Sequence, residues 1–474
     1  MKPEGLRPAA AGLCMMVLTM KDRTWRCLVL LLALVEAASQ AWAQVAPPGE
    51  TAAEIVVMRL TLPDAVAVAL APEGSARIRL AEELVRQAQA RADESRSALL
   101  PNISASVSDQ SVTRNLESYG LGLNLPGLVF PKLVGPFTVF DARATASQSI
   151  LNLGAIRRFQ ASQTGVRAAE TERDSAQDLV RAEVARAYLE ALRAEAVVEA
   201  AQSDVDLAEA MLKLASDQKA AGTGTGIEVT RASVQLAAEK QRLLVSRNER
   251  ASAHLQLLRT MHLSLATRLE LAEKLSFVPA EPLTVAQALQ VALVERADWQ
   301  AQQKRAEAAR LQLSAARYDR VPAVSLFADY GSIGSFDGKL LPTRAYGIAV
   351  QVPVFDGGRV DARRAQSASQ QRQEAIRTED LRAQIELEIR LALDALESAA
   401  AQLKTAEEGL VLARNEVAQA ERRYRAGASA GLEVTDAQTR LERARENRIS
   451  ALFGCNIARI NLAAATGTIR NVIQ

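Results

Sequence analysis

The chain is written twice. Leu60-Thr61-Leu62 with Ala65, Ala69 and Leu70 returns as Leu283-Thr284-Val285 with Ala288, Ala292 and Leu293, and Leu100-Pro101 returns as Val321-Pro322. Further on, Leu153-Gly154 is answered by Gly357-Gly358, and Gly222-x-x-x-Gly226-Ile227-Glu228-Val229-Thr230 by Gly427-x-x-x-Gly431-Leu432-Glu433-Val434-Thr435. Nothing else in the sequence constrains the fold as tightly, because both copies must adopt one supersecondary plan and then pack as partners. The spacing between copies falls from 221 residues at the proline to 205 at the glycine turn, so the first copy holds the longer loop between those markers.

Within each copy the apolar period changes twice. Residues 61–99 and 284–318 are rich in Ala, Gln, Glu and Arg and read as helices that stop at the proline. Strict alternation follows, and predicts strands over 102–110 and 138–150 in the first copy and over 322–330 and 346–354 in the second, one β-hairpin per copy. The first hairpin loop, 111–137, includes the apolar run Leu128-Val129-Phe130, which is expected to fold over the hairpin. Unbroken helical patterns then run from Ala155 to Ala221 and from Val360 to Ala426. At 1.5 Å per residue each is roughly 100 Å long. Past the glycine turns, 227–268 and 432–465 read as partner helices, with Val229, Leu236 and Leu243 at heptad spacing, and Val434 with Leu441.

Composition narrows what such a framework does. There are 57 Lys+Arg against 55 Asp+Glu and no block of like charge, which argues against a nucleic-acid partner. Only 4% of residues are aromatic, so Ala and Leu supply most of the apolar surface, as suits long helices at close range. Two His, His254 and His262, have no ligand set around them, and no Ser/His/Asp or Cys/His constellation is apparent, so neither a metal, a cofactor nor an enzyme activity is indicated. Lys21, Arg23 and Arg26 precede an apolar run from Cys27 to Val35 and then Ala41-Trp42-Ala43, the plan of a secretory leader cleaved after Ala43. That run is too short for a hydrocarbon core roughly 30 Å thick, and Met20 stands as an alternative start. Neither Cys14 nor Cys27 lies in a lipidation context, and loss of the leader leaves Cys455 alone, a small buried apolar residue without a disulfide partner.

Four strands with one apolar and one small-polar face cannot close into a membrane barrel, and an open sheet edge is prohibitive in lipid. Several chains must therefore pool their strands. The duplicated plan, the segment Val352-Pro353-Val354-Phe355-Asp356-Gly357-Gly358-Arg359 before a long helix, and the twin Gly-x-x-x-Gly-[Ile/Leu]-Glu-Val-Thr turns resemble the TolC family of bacterial outer-membrane efflux proteins over essentially the whole mature chain.

The resemblance implies a mixed α and transmembrane β fold, in which a homotrimer builds one outer-membrane β-barrel from four strands per protomer, continuous with a long periplasmic α-helical tunnel. It implies an exit duct of a tripartite efflux or type I secretion system. A periplasmic adaptor (membrane fusion) protein would dock at the exposed tip turns, Gly222, Gly226, Gly427 and Gly431 with Leu432 and Val434, and an inner-membrane pump or ABC exporter would act through it. The family narrows its tunnel with acids after the second-copy turn, and the matching positions are Glu433 and Asp436. Spacing of three puts them on one helical face. The first copy has Glu228 but Arg231 in place of the second acid, and Ser429 stands where some members carry a gate-bracing arginine. Asp356, Gly357 and Gly358 mark the strand-to-helix junction, without the Lys-Ser/Thr of a phosphate loop.

The chain thus divides into a leader (1–43), a linker (44–59), a first repeat (60–275, tip turn 222–226), a short linker (276–282), a second repeat (283–467, tip turn 427–431) and a tail (468–474). The competing reading is a periplasmic coiled-coil protein without a pore, which leaves the amphipathic strands unexplained.

Overall fold

The computed structural model describes residues 57–71, 74–120, 131–279, 283–335 and 338–473. The expected leader, the alternative start at Met20, Cys14, Cys27 and the run Leu128-Val129-Phe130 lie outside the described residues. The first copy comprises β1 (Val57–Leu60), α1 (Leu62–Leu70), α2 (Ala76–Ser97), β2 (Asn102–Asn115), β3 (Leu133–Leu151), α3 (Leu153–Ala220), α4 (Gly226–Thr260) and β4 (Arg268–Leu271). The second comprises α5 (Val285–Glu295), α6 (Ala297–Tyr318), β5 (Ala323–Gly334), β6 (Leu340–Gln351), α7 (Arg359–Arg425) and α8 (Gly431–Thr466), closed by α9 (Ile469–Val472).

The copies start alike because the same local chemistry starts them. Thr61 caps α1 in a reciprocal pair with Asp64, and its counterpart Thr284 caps α5 with Gln287. Each proline-terminated helix differs from expectation in being two helices. In the first copy Gly74 lies so close to the Ala69 carbonyl that no Cβ fits, and Ser75 recaps the chain by accepting from the Arg77 N–H. In the second the break is tertiary: Arg296 is extended, and its guanidinium donates to Asp298, to Glu388 on α7 at 2.6 Å and to the Ala465 carbonyl on α8 at 3.1 Å. The backbone of Gly467 presses on Arg296, where an added Cβ would stand 2.8 Å from its nitrogen.

The strands form one antiparallel sheet in the order β2-β3-β5-β6, so the seam between copies is the β3–β5 pair. The first hairpin continues beyond the expected limits, pairing Val112 with Phe137 and Asn115 with Leu133. Conversely β6 stops at Gln351, and 352–354 are not strand. Register sorts the side chains into two faces. One carries Ser104, Ser106, Asp141, Arg143, Thr145 and Asp329; the other carries Ile103, Val107, Tyr330, Tyr346, Ile348 and Val350. The apolar face is the more open, with Tyr346 81% and Ile103 76% exposed, whereas Asp329 and Arg143 are half-buried against the sheet. Strands of 12 residues such as β5 and β6 rise about 40 Å and, tilted by roughly 40°, span about 30 Å, the depth of a hydrocarbon core. Val354 and Phe355 follow β6 almost fully exposed. Among the described residues the edge strands β2 and β6 are unpaired on their outer sides and run in opposite directions, so β6 of one protomer and β2 of the next continue the same antiparallel meander.

The long helices pack as α3 with α4 and α7 with α8. The main core gathers Leu60, Val184, Tyr188, Leu257, Leu258, Ile460 and Ile469, all essentially buried. Within it Tyr188 donates from its hydroxyl to the Leu60 carbonyl at 3.2 Å, and burial first, then the Glu273 charge, push the phenol pKa up. Two features were not legible beforehand: β1 pairs in parallel with β4, and residues 468–473 are no free tail, since Ile469 and Ile473 enter this core and Arg470 pairs with Asp178. Cys455 is buried, and burial raises its thiol pKa. Among the described residues no acid, His or Cys cluster has metal-holding geometry; His254 instead faces Glu195 at 3.3 Å.

Candidate functional site

The helical end remote from the sheet is formed by two tight reversals. The α3 helix ends as Gly222 turns left-handed at φ 77°, and α7 ends as Gly427 does so at φ 70°. In each, backbone N–H groups past the glycine close back on the last helical carbonyls: Thr223 and Gly224 on Gln218, and Ala428 on Arg423. Only the first glycine of each Gly-x-x-x-Gly carries the reversal. Gly226 and Gly431 have ordinary φ values and simply begin α4 and α8.

Leu432 is 54% exposed, as is its counterpart Ile227 at 58%. Val434, expected beside Leu432 on the exposed tip, is instead buried at 3%, packed with Met211, Leu410, Val417, Tyr424 and Leu441. The heptad step from Val434 to Leu441 puts both into that core, which is why one of the two neighbouring apolar residues faces in and the other out.

The two copies use their first-turn acids differently. Glu228 is spent on structure: its Oε2 accepts from the Thr225 N–H at 3.0 Å. That bond, together with the Gly431 N–H across the gap and the Arg231 charge, holds its carboxyl below the usual range. Tyr424, whose ring lies 3.6 Å from where a Gly431 Cβ would stand, has its phenol pKa raised by burial and then by Glu228. In the second copy the N-cap is Ala430, whose methyl cannot accept a capping hydrogen bond. Glu433 is therefore released from capping; it is half-exposed and meets Arg423 at 3.5 Å. Asp436 lies three residues on, exposed, and adds to the field on Arg440, whose guanidinium is held chiefly by two hydrogen bonds to Glu416. Ser429 brings no charge to the turn, and its hydroxyl is buried without a partner among the described residues.

At the other end of α7, Asp356 holds the junction. Its Oδ1 accepts from the Gly358 N–H at 3.1 Å and its Oδ2 from the Val360 N–H at 2.9 Å, with Gly357 and Gly358 both left-handed. A carboxylate on the first free N–H groups of a helix of 67 residues caps it and complements its dipole. Sequence reasoning missed a buried carboxylate–guanidinium network, described below, because its members sit on three helices.

A membrane-deep antiparallel sheet with open edges, joined to roughly 100 Å of paired helix, defines the class of outer-membrane channels with a periplasmic extension. The comparisons agree. The model of the family described as "Outer membrane efflux protein" matches residues 68–261 and 288–468, and the chain belongs to that family. It is similar to the pyoverdine export outer membrane protein OpmQ of Pseudomonas putida, 28% identical over 77% of both chains, and to that of Pseudomonas aeruginosa, 25% identical over 81% of this chain and 80% of the other. Among solved structures the fold matches CusC with TM-score 0.73 and 18% identity, covering 86% of this chain and 92% of that one. It likewise matches VceC of Vibrio cholerae with TM-score 0.71 and 19% identity, covering 86% and 96%. The protein is an outer-membrane efflux duct of TolC-like architecture.

Proposed function

We propose that three copies form the duct and that its periplasmic end is gated by Glu433 and Asp436. The observation that carries this is the asymmetry of the tips: Glu228 is consumed by its cap, whereas Glu433 has no cap to serve and stands with Asp436 on one exposed face of α8. Three such pairs around an axis would make a ring of carboxylates that attracts cations and repels anions. The Arg423–Glu433 pair supports a resting state braced within the α7–α8 hairpin, a role that Ser429 has no charge to play.

An adaptor protein docks on the tip turns, on Leu432 and Ile227 with Gly222, Gly226, Gly427 and Gly431, while Val434 supports the surface from beneath. An inner-membrane pump or ABC exporter delivers cargo through that adaptor. Both curated relatives are named for pyoverdine export, which favours small-molecule cargo over polypeptide. Single-channel recording tests the gate: wild type should give a small, cation-selective conductance, and Glu433→Ala with Asp436→Ala a larger, less selective one. Clear conductance unchanged by the double substitution would refute the assignment.

A further inference from the structure

A cluster of ionisable side chains is buried where the post-turn helices of the two copies meet, and nothing in the proposed gate uses it. Glu239 on α4 is 1% exposed, and Glu442 on α8 and Asp204 on α3 are also buried. Arg242 on α4 donates through Nη1 to Glu442 Oε2 at 2.6 Å and to Glu239 Oε2 at 3.1 Å, while Arg445 on α8 donates to Asp204. The Gln235 amide reaches Glu239 Oε1 at 2.7 Å and Glu442 Oε1 at 3.5 Å. Glu446 on α8, which is exposed, and Asp204 also act on Arg242 through their charges. One turn toward the tip Gln438 is buried with its Nε2 unpartnered among the described residues. With Gln235 it lines a cavity of about 30 Å³, room for one water.

Two guanidiniums, that of Arg242 reaching solvent, face three buried carboxylates. The deficit is one charge; burial pushes the Asp204 carboxyl up as well, but Arg445 binds it, which leaves the paired carboxylates of Glu239 and Glu442 as the better place for one proton. Glu239 and Glu442 are bound by the same Arg242 nitrogen and the same Gln235 amide, so their carboxylates lie side by side, and the Glu442 charge opposes ionisation of Glu239. A proton on Glu239 donates to Glu442 and ties one copy's helix to the other's. We propose that Glu239 and Glu442 share a proton that clasps α4 to α8, so that the tip rests closed in acid and is released as pH rises.

Burial and then the Glu442 charge push Glu239 up from 4.5 to about 7. In helices drawn apart, Glu239 is hydrated and titrates in its ordinary range, so the clasped state binds the proton more tightly. The clasp is fully present below about 4.5 and is lost as pH rises through about 7, a change of up to about 300-fold in the clasped-to-released ratio per chain.

The proposal rests on the reading of the tip as the gate, so the test has two readouts on the full-length protein. Spin labels on exposed positions, Gln241→Cys and Arg443→Cys with Cys455→Ala, report the α4–α8 separation between pH 5 and 8, and planar-bilayer recording reports conductance. In wild type both should rise as pH increases toward about 7 and level off above it. Glu239→Gln should hold the short separation and low conductance throughout, and Glu442→Gln should move the step to lower pH. A separation that follows pH while conductance does not would sink the gate reading and leave the clasp standing. Wild-type and Glu239→Gln proteins with superimposable separation profiles, or a wild-type separation indifferent to pH, would overturn the clasp.

Discussion

Replacing Arg242 by Met leaves the stem that crosses α4 and removes the guanidinium that Glu239 and Glu442 share. Deleting one partner of a fully buried ion pair costs about 3–5 kcal/mol. The Arg242 side chain is 43% exposed, so solvent screening reduces this to about 2 kcal/mol. The cost depends on pH with a definite sign. In chains whose clasp is still closed above pH 7, Glu239 is ionised and loses a counter-charge; at pH 5 it is already protonated, and only the Glu442 bond is lost. The expected penalty therefore falls to about 1 kcal/mol at pH 5. Global melting of so large a protein responds weakly to such amounts, so the assay is hydrogen exchange by mass spectrometry over α4 and α8, corrected for intrinsic exchange. About 2 kcal/mol appears as roughly 30-fold faster local exchange at pH 8, and about 1 kcal/mol as roughly fivefold at pH 5. Equal acceleration at both values would refute a proton shared within the cluster.

Three further substitutions probe the framework. Gly427→Ala forces a Cβ into a left-handed turn at φ 70° and should cost about 1–2 kcal/mol. Gly431→Ala has an ordinary backbone and 3.6 Å of clearance from the Tyr424 ring, and should stabilise the start of α8 by about 0.5 kcal/mol; local exchange at the tip separates the two, and like effects would contradict the turn assignment. Asp356→Ala removes the bonds to Gly358 and Val360 and should cost about 1 kcal/mol, seen as faster exchange confined to the first turn of α7.

Much of this molecule is legible in its sequence because its signals are local and doubled. Alternation around Ile103 and Val324, and proline after each shorter helix, placed both hairpins, and the long helices followed from unbroken periodicity. What escaped is what depends on distant partners. The break at Arg296 has no glycine or proline to announce it, since Glu388 and Ala465 make it. The break at Ser75 is marked in the sequence only by Gly74, whose meaning depends on its contact with the Ala69 carbonyl. The β1–β4 pair joins four-residue strands separated by the whole first copy, and no period detects a strand so short. At the tip the motif marked Glu228 and Glu433 as equivalents, and only the neighbouring cap, Thr225 against Ala430, shows that one is occupied and the other free.

The central claim is that copies of this chain join open sheet edges into one closed barrel, and cysteine cross-linking tests it most directly. With Cys455→Ala as background, Ser106→Cys on β2 is combined in turn with single cysteines at residues 343, 345, 347 and 349 of β6, and the outer-membrane protein is oxidised before denaturing electrophoresis. The account predicts that one register yields covalently linked dimers and trimers, with no larger species. A ladder that ends at the monomer for every pair, or runs past the trimer, would contradict it.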